Sequence, residues 1–350
     1  MLRYLSLVAV SALALAACQD QAAGGGAAAA RDQIKAVGSS TVYPFATLVA
    51  ERFVNANPGM KAPVIESTGT GAGMKLFCAG VGGDTPDIAN ASRRLKASEY
   101  ATCEANGAGD LMEVQIGIDG IAFAESAGGQ KLELTRADLY KALAANPGGR
   151  PNAAKTWRDV NPALPATPIQ VYGPPSTSGT RDALAELILA KGCEEVTPEW
   201  KERKKTDEDG FKKACTAVRE DGAYIDTGEN DNLIVQKLQS NPNAIGVFGY
   251  SYLEENKDKL FGTPLNGVAP TYAAIADGGY PGARPLYIYV KKPQLSAVNG
   301  LREYLVQFAT MWNPGGPLTA KGLIAAPDDV RARNAEVVKN ATSLSPGELN

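Results

Sequence analysis

Residues 34–45 read Ile34-Lys35-Ala36-Val37-Gly38-Ser39-Ser40-Thr41-Val42-Tyr43-Pro44-Phe45, and the change of pattern inside this stretch decides the fold. A short apolar strand from Ile34 to Gly38 gives way to a hydroxyl-rich loop. A helix follows that takes Pro44 in its first turn and sets Phe45, Leu48, Val49 and Phe53 on one face. Asn57-Pro58-Gly59 ends it. The same order recurs from Ala62 to Ser67, through Thr68-Gly69-Thr70-Gly71-Ala72-Gly73, into a helix at Met74-Lys75-Leu76-Phe77. It recurs again from Ile169 to Gly173, through Pro174-Pro175-Ser176-Thr177-Ser178-Gly179-Thr180, into a helix from about Arg181 to Ala190 with Leu184, Leu187 and Ile188 on its buried side. A further short strand, Asp87 to Ala91, stops at Ser92-Arg93-Arg94 before a helix that starts near Ser98-Glu99. Strands alternating with helices predict α/β layers with mainly parallel sheets, whose ligands sit at the carboxyl ends of the strands.

Two strand-like runs are longer, Val114 to Ala124 and Arg284 to Val290, and they stand far apart in the chain. A chain that leaves one lobe, builds a second and returns needs two such crossings, so these runs are expected to form a hinge. Lobe one is then 34–118 plus 288–345, and lobe two is 119–287. The charge-dense run from Lys201 to Asp209 mixes both signs and reads as a solvated segment.

Upstream of the first strand, Arg3 precedes an apolar stretch from Leu5 to Ala17 that is too short to span a bilayer as a permanent helix. Residues 1–17 are expected to be a signal peptide. Leu15-Ala16-Ala17-Cys18 resembles the bacterial lipobox, which implies lipidation of Cys18 and a periplasmic protein held to a membrane by its lipid alone. Residues 18–33, largely Gln, Ala and Gly, read as a flexible tether. Export to an oxidising compartment favours disulfides among Cys78, Cys103, Cys193 and Cys215. Of the three connectivities, Cys78 with Cys103 and Cys193 with Cys215 keeps each loop local and inside one lobe, at about 3 kcal/mol of stabilisation each; free buried thiols are the alternative.

The sequence contains no histidine. That removes Ser-His-Asp and Cys-His nucleophile arrangements and the commonest metal ligand. There is also no Walker loop and no G-x-S-x-G elbow. With 35 basic and 38 acidic side chains, a formal charge of −3 leaves no basic footprint for nucleic acid. The expectation is a binding protein rather than an enzyme, without cofactor or metal, and monomeric.

Helix amino termini expose unpaired N–H groups and the positive end of the macrodipole, and three of them behind Ser-, Thr- and Gly-rich approaches suit an anion. In order, Gly38-Ser39-Ser40-Thr41-Val42-Tyr43-Pro44, Gly69-Thr70-Gly71-Ala72-Gly73, Ala91-Ser92-Arg93 and Thr177-Ser178-Gly179-Thr180-Arg181-Asp182 resemble the motifs of the periplasmic phosphate-binding proteins, the PstS family. Asn243 to Tyr250 and the strand Arg284 to Val290 match it further on, so the resemblance runs from about residue 34 to 340. It implies a type II periplasmic-binding fold, with two α/β lobes closing on one dehydrated inorganic phosphate. It also implies delivery of that phosphate to ABC permease subunits driven by a separate ATPase. Ser40, Thr41 and Val42 would supply the first loop's donors, Thr70 and Ser92 the next, and Ser178, Gly179 and Thr180 those of the other lobe, with Arg93 and Arg181 as charged partners.

The sequence departs from that pattern in two respects. Some family members carry an Asp after Ala-Ser in the third motif, where it accepts the phosphate's proton; here the position is Arg93. Those members also carry an Arg a few residues before Ser-Gly-Thr, where Pro174-Pro175 stand here. Telling phosphate from sulfate requires an acceptor for a hydrogen that sulfate lacks, and Asp119 and Asp87 are the candidates the sequence offers. Sulfate or molybdate is the rival ligand. A sensor or adhesion module, or an exported phosphatase, is the rival class.

Overall fold

A computed structural model of the chain describes residues 31–176, 178–228 and 230–349. The expected signal peptide, Cys18 and most of the expected tether lie outside the described residues. The strands are β1 (Lys35–Gly38), β2 (Val64–Ser67), β3 (Ile88–Ala91), β4 (Leu111–Ser126), β5 (Val171–Gly173), β6 (Tyr224–Asp226), β7 (Ile245–Gly249), β8 (Leu260–Gly262) and β9 (Ala283–Lys291). They join in the order β2-β1-β3-β9-β4-β7-β5-β6, with β8 also on β4.

The ladder is mixed rather than mainly parallel. β1 runs parallel to β2 and β3, and β5 parallel to β6 and β7. β9 is antiparallel to β3, and β4 is antiparallel to β7, β8 and β9. The reason lies in the two long runs, one leading the chain out of the first half and the other leading it back. They pair from Leu111↔Lys291 to Gly120↔Ala283, with a bulge between Gln115 and Gly117. A β-carbon on Gly117 would lie 2.7 Å from the Leu323 side chain, so the bulge is filled from outside and needs glycine.

The apolar core divides near that bulge. One cluster takes Ile118, Ile121 and Phe123 from β4 and packs them with Leu139, Trp157, Ile188 and Phe248. The other takes Met112, Val114 and Ile116 from β4 with Leu286, Ile288 and Val290 from β9. It packs them under the helices α1 (Tyr43–Ala56) and Leu301–Met311, where Phe53 meets Tyr304 edge to face. A smaller cluster joins α2 (Thr70–Phe77) and α3 (Ala97–Ala105) through Met74, Phe77 and Cys103. Both local disulfides form: Cys78–Cys103 ties the end of α2 to α3, and Cys193–Cys215 ties the helix Ala190–Val196 to Glu208–Cys215.

Arg31, within the span expected to be a tether, is bonded into the fold. The Arg31 N–H donates to Ala297 O at 2.9 Å, and Asn299 N–H donates back to Arg31 O at 2.9 Å. Its guanidinium bonds the fully buried Asp87 and the carbonyl of Gly83. A buried carboxylate without a counter-charge is costly, so Asp87 recruits this cation. Lys291, also fully buried, donates from Nζ to Thr85 Oγ1 at 2.9 Å and stands 4.9 Å from the Phe77 ring centroid. Burial pushes its pKa down to about 8.

Candidate functional site

The loop after β1 is shaped by Gly38, whose φ is +134° and where a β-carbon would fall 2.1 Å from Asn90 O. From there Ser39 N–H donates to Asn90 O, and Ser39 O accepts from Tyr43 N–H as α1 begins. Among the described residues no protein acceptor meets the N–H groups of Ser40 and Thr41. They are the unpaired donors of a helix entrance. Val42 is buried and caps α1 without a side-chain bond, its carbonyl accepting from Phe45 and Ala46.

The Gly-rich second segment is not a loop as expected, because α2 starts at Thr70 and includes Gly71 and Gly73. Gly73 serves packing: a β-carbon there would sit 2.5 Å from Gly38 Cα. Thr70 Oγ1 and Ser92 Oγ lie 3.0 Å apart, and Ser92 N–H donates to Thr70 Oγ1 at 3.1 Å, so these two hydroxyls hold one another at the carboxyl end of β3.

Arg93 does not present an open guanidinium fork. Its two terminal nitrogens bond the carboxylate of Glu99 at 2.7 and 2.9 Å, in the bidentate geometry that satisfies both groups. That bond raises the pKa of Arg93, and Glu99 is lowered despite its burial.

From the other half of the molecule, Ser178 caps the helix Gly179–Ala183, its Oγ accepting from Thr180 N–H at 3.2 Å; Thr177 lies outside the described residues. The helix continues through a wider π-helical turn, Leu184–Leu189, into Ala190–Val196. Arg181, in its first turn, does not pair with its neighbour Asp182. Its guanidinium carbon stands 4.2 Å over the Tyr224 ring centroid, a cation–π contact, and Tyr224 is held by donating to Pro174 O at 2.6 Å. Burial raises the Tyr224 hydroxyl to about 12, so it stays a donor.

The two hydroxyl loops meet face to face. A β-carbon on Gly179 would lie 3.0 Å from Thr41 Cα and 3.5 Å from Ser40 O. Ser40 Oγ donates to the Asp182 carboxylate across this contact. Arg284 lies beside it at 8% exposure, donating to Thr41 Oγ1 at 3.0 Å and pairing with Glu186. It is also the cross-strand partner of Asp119, with Nε 3.5 Å from Oδ2. Burial raises the Asp119 carboxyl, and Arg284 opposes that shift. Asp87 lies at the amino end of β3, on the side away from the loops, and is held there by Arg31 and by Lys35 N–H.

Of the sequence-predicted residues, Ser40, Thr41 and Gly179 are therefore brought together, with Val42, Ser178, Thr180 and Arg181 within a turn of the contact. Thr70 and Ser92 bond each other at the strand end beside Gly38, and Arg93 is tied to Glu99. Arg284, Asp182 and Glu186 were not anticipated. Arg284 left one trace, an Arg at the start of an otherwise apolar run, matched by Asp119 in the other long strand-like run.

A family described as the PBP superfamily domain matches residues 23–310. The chain is 33% identical to Protein SphX of Synechococcus elongatus over 92% of its own length and 88% of that protein. It is 30% identical to the phosphate-binding protein PstS of Staphylococcus saprophyticus over 78% and 74% of the two chains. A crystal structure of a possible phosphate-binding protein from Planctomyces limnophilus superposes with a TM-score of 0.71 at 27% identity, over 90% of this chain and all of that one.

Proposed function

Because the chain belongs to the PstS family of phosphate-binding proteins and has their type II periplasmic-binding fold, we propose that it captures inorganic phosphate between its two halves outside the cytoplasm. The phosphate then passes to an ABC permease driven by a separate ATPase. The observation that carries this reading is the meeting of the Ser40–Thr41 loop with Gly179, where two unengaged N–H groups, three hydroxyl side chains and Arg284 converge. A cradle of aimed donors at low dielectric binds an anion without net positive charge on the protein.

We assign Ser40, Thr41, Val42, Ser178, Gly179 and Thr180 as the donors, with Thr70 and Ser92 closing the strand end. Arg284, Arg181 and Arg93 carry the positive charge, Arg284 being held by Glu186 and Asp119 and Arg93 by Glu99. Closure follows from the division of the core about the β4–β9 crossing, with 34–118 plus 288–345 turning against 119–287. The role is binding and release rather than catalysis. The anchor is a lipid on Cys18, a reading supported by the lipobox-like Leu15–Cys18 that precedes the fold.

The test is calorimetric titration of the mature, phosphate-stripped protein with phosphate, sulfate and molybdate, with small-angle scattering of the same samples. One phosphate per chain, micromolar or tighter, with a smaller radius of gyration on saturation is the expected result. Preference for sulfate or molybdate, or an unchanged radius, would refute the corresponding part of the reading.

A further inference from the structure

Asp182 differs from the other carboxylates of the cleft in what it faces. Asp119 and Glu186 both lie against the Arg284 guanidinium. Glu99 closes on Arg93 in the same way. Among the described residues no cation pairs with Asp182. Its partner is a hydroxyl, Ser40 Oγ, which reaches it from the opposite loop. An ionised carboxylate only accepts hydrogen bonds, so this position in a cleft lined with donors is an acceptor already configured to receive an O–H.

The chemistry of tetrahedral oxyanions gives such an acceptor a use. Phosphate at neutral pH keeps at least one P–OH, which has to donate somewhere when the ion is dehydrated. Sulfate carries no such hydrogen and would bring a lone pair against the Asp182 oxygen. An unmet buried acceptor and a like-charge approach both cost binding energy. Resting on the phosphate reading above, we propose that Asp182 is the specificity-determining residue of the cleft, accepting the ligand's P–OH in place of the Ser40 hydroxyl and so excluding oxyanions that are fully ionised at neutral pH. This supplies the acceptor missing from the third motif, where Arg93 stands. The acceptor comes from the other half of the molecule, one turn beyond Ser178, so it reaches the anion only when the halves close. Asp119, the acceptor candidate visible in the sequence, is left to the role of holding Arg284.

The experiment measures phosphate and sulfate affinities by calorimetry for the wild type, Asp182→Asn, Asp182→Ser and Ser40→Ala, with thermal unfolding of each to confirm the fold. Wild type is expected to bind phosphate and reject sulfate. Asp182→Asn, isosteric but able to donate, is expected to weaken phosphate at least tens of fold and to lower the phosphate-over-sulfate ratio by about a hundredfold or more. Asp182→Ser should follow it. Ser40→Ala should retain the ratio, because the acceptor remains; if Asp182 acted only by orienting Ser40, this variant would lose selectivity too. Failure of the wild type to bind phosphate would sink the functional reading together with this inference. Phosphate binding and sulfate rejection that persist in both Asp182 variants would sink the inference alone. Equal tightening of both anions in Asp182→Asn would also overturn it, since the carboxylate would then merely repel.

Discussion

Lys291 is a cation with no exposed surface, and replacing it with methionine should change how stability depends on pH. The Nζ group rests on Thr85 Oγ1 and beside the Phe77 ring, while the nearby Asp87 is shared with Arg31. Burial brings its pKa from the ordinary lysine value of 10.5 down to about 8 in the folded chain. Between those values the unfolded chain holds a proton that the folded chain has released, so unfolding takes up a proton and stability rises with pH. Below about 8 both states are protonated and the full burial penalty applies; above 10.5 both are neutral and the penalty is gone. From pH 7 to pH 10 the gain is about 2–3 kcal/mol. Urea unfolding of the ligand-free wild type and Lys291→Met at the two pH values isolates this contribution, because tyrosines and other lysines titrate alike in both. The wild type should gain about 2–3 kcal/mol on the variant between pH 7 and pH 10. A difference between the two proteins that stays flat would mean that Lys291 is not buried as described.

Gly73→Ala places a methyl 2.5 Å from the Gly38 backbone, which has no side chain to yield; urea unfolding should show a loss of about 1–3 kcal/mol, and an unchanged midpoint would refute the packing. Gly179→Ala meets Thr41 Cα at 3.0 Å only where the two halves touch, so phosphate affinity by calorimetry should fall about tenfold, roughly 1.4 kcal/mol, while the ligand-free melting temperature stays put. Arg284→Ala strands Asp119 without its cation and should lower ligand-free stability by about 3 kcal/mol, most of it restored by adding Asp119→Asn; strict additivity in that double-mutant cycle would count against the pair.

The elements that could be read from the sequence were those written locally. The strand–loop–helix order around Ser39–Pro44 and around Ser176–Thr180 depends on turn residues, a proline in the first turn and a helical apolar period, all within one window. The two long crossing strands were legible by their length, and the disulfides by the preference for local loops. The antiparallel centre of the sheet was not, since strand direction is set by the partner and not by the strand's own residues. At the site, what escaped was non-local. Arg284 meets Thr41 across a separation of 243 residues, and nothing near either residue records the contact. Arg93 reads as an unpaired cation until Glu99, six positions on, is folded back onto it by the turn into α3. Arg181 and Asp182 are adjacent and of opposite charge, but in the folded chain the helix sends the two side chains to different partners, Tyr224 and Ser40.

Arg31 has a mechanical consequence. Its main chain is laced to Ala297 and Asn299 and its guanidinium to Asp87 and Gly83, all on the half that carries the Ser40–Thr41 loop. Tension applied to the chain before residue 31 therefore enters that half directly. It need not pass through β4 or β9, so on the closure proposed above pulling would not load the crossing strands. On the lipid anchor and closure proposed above, the half with α1 would be the grounded one and the half with Ser178 and Asp182 would swing.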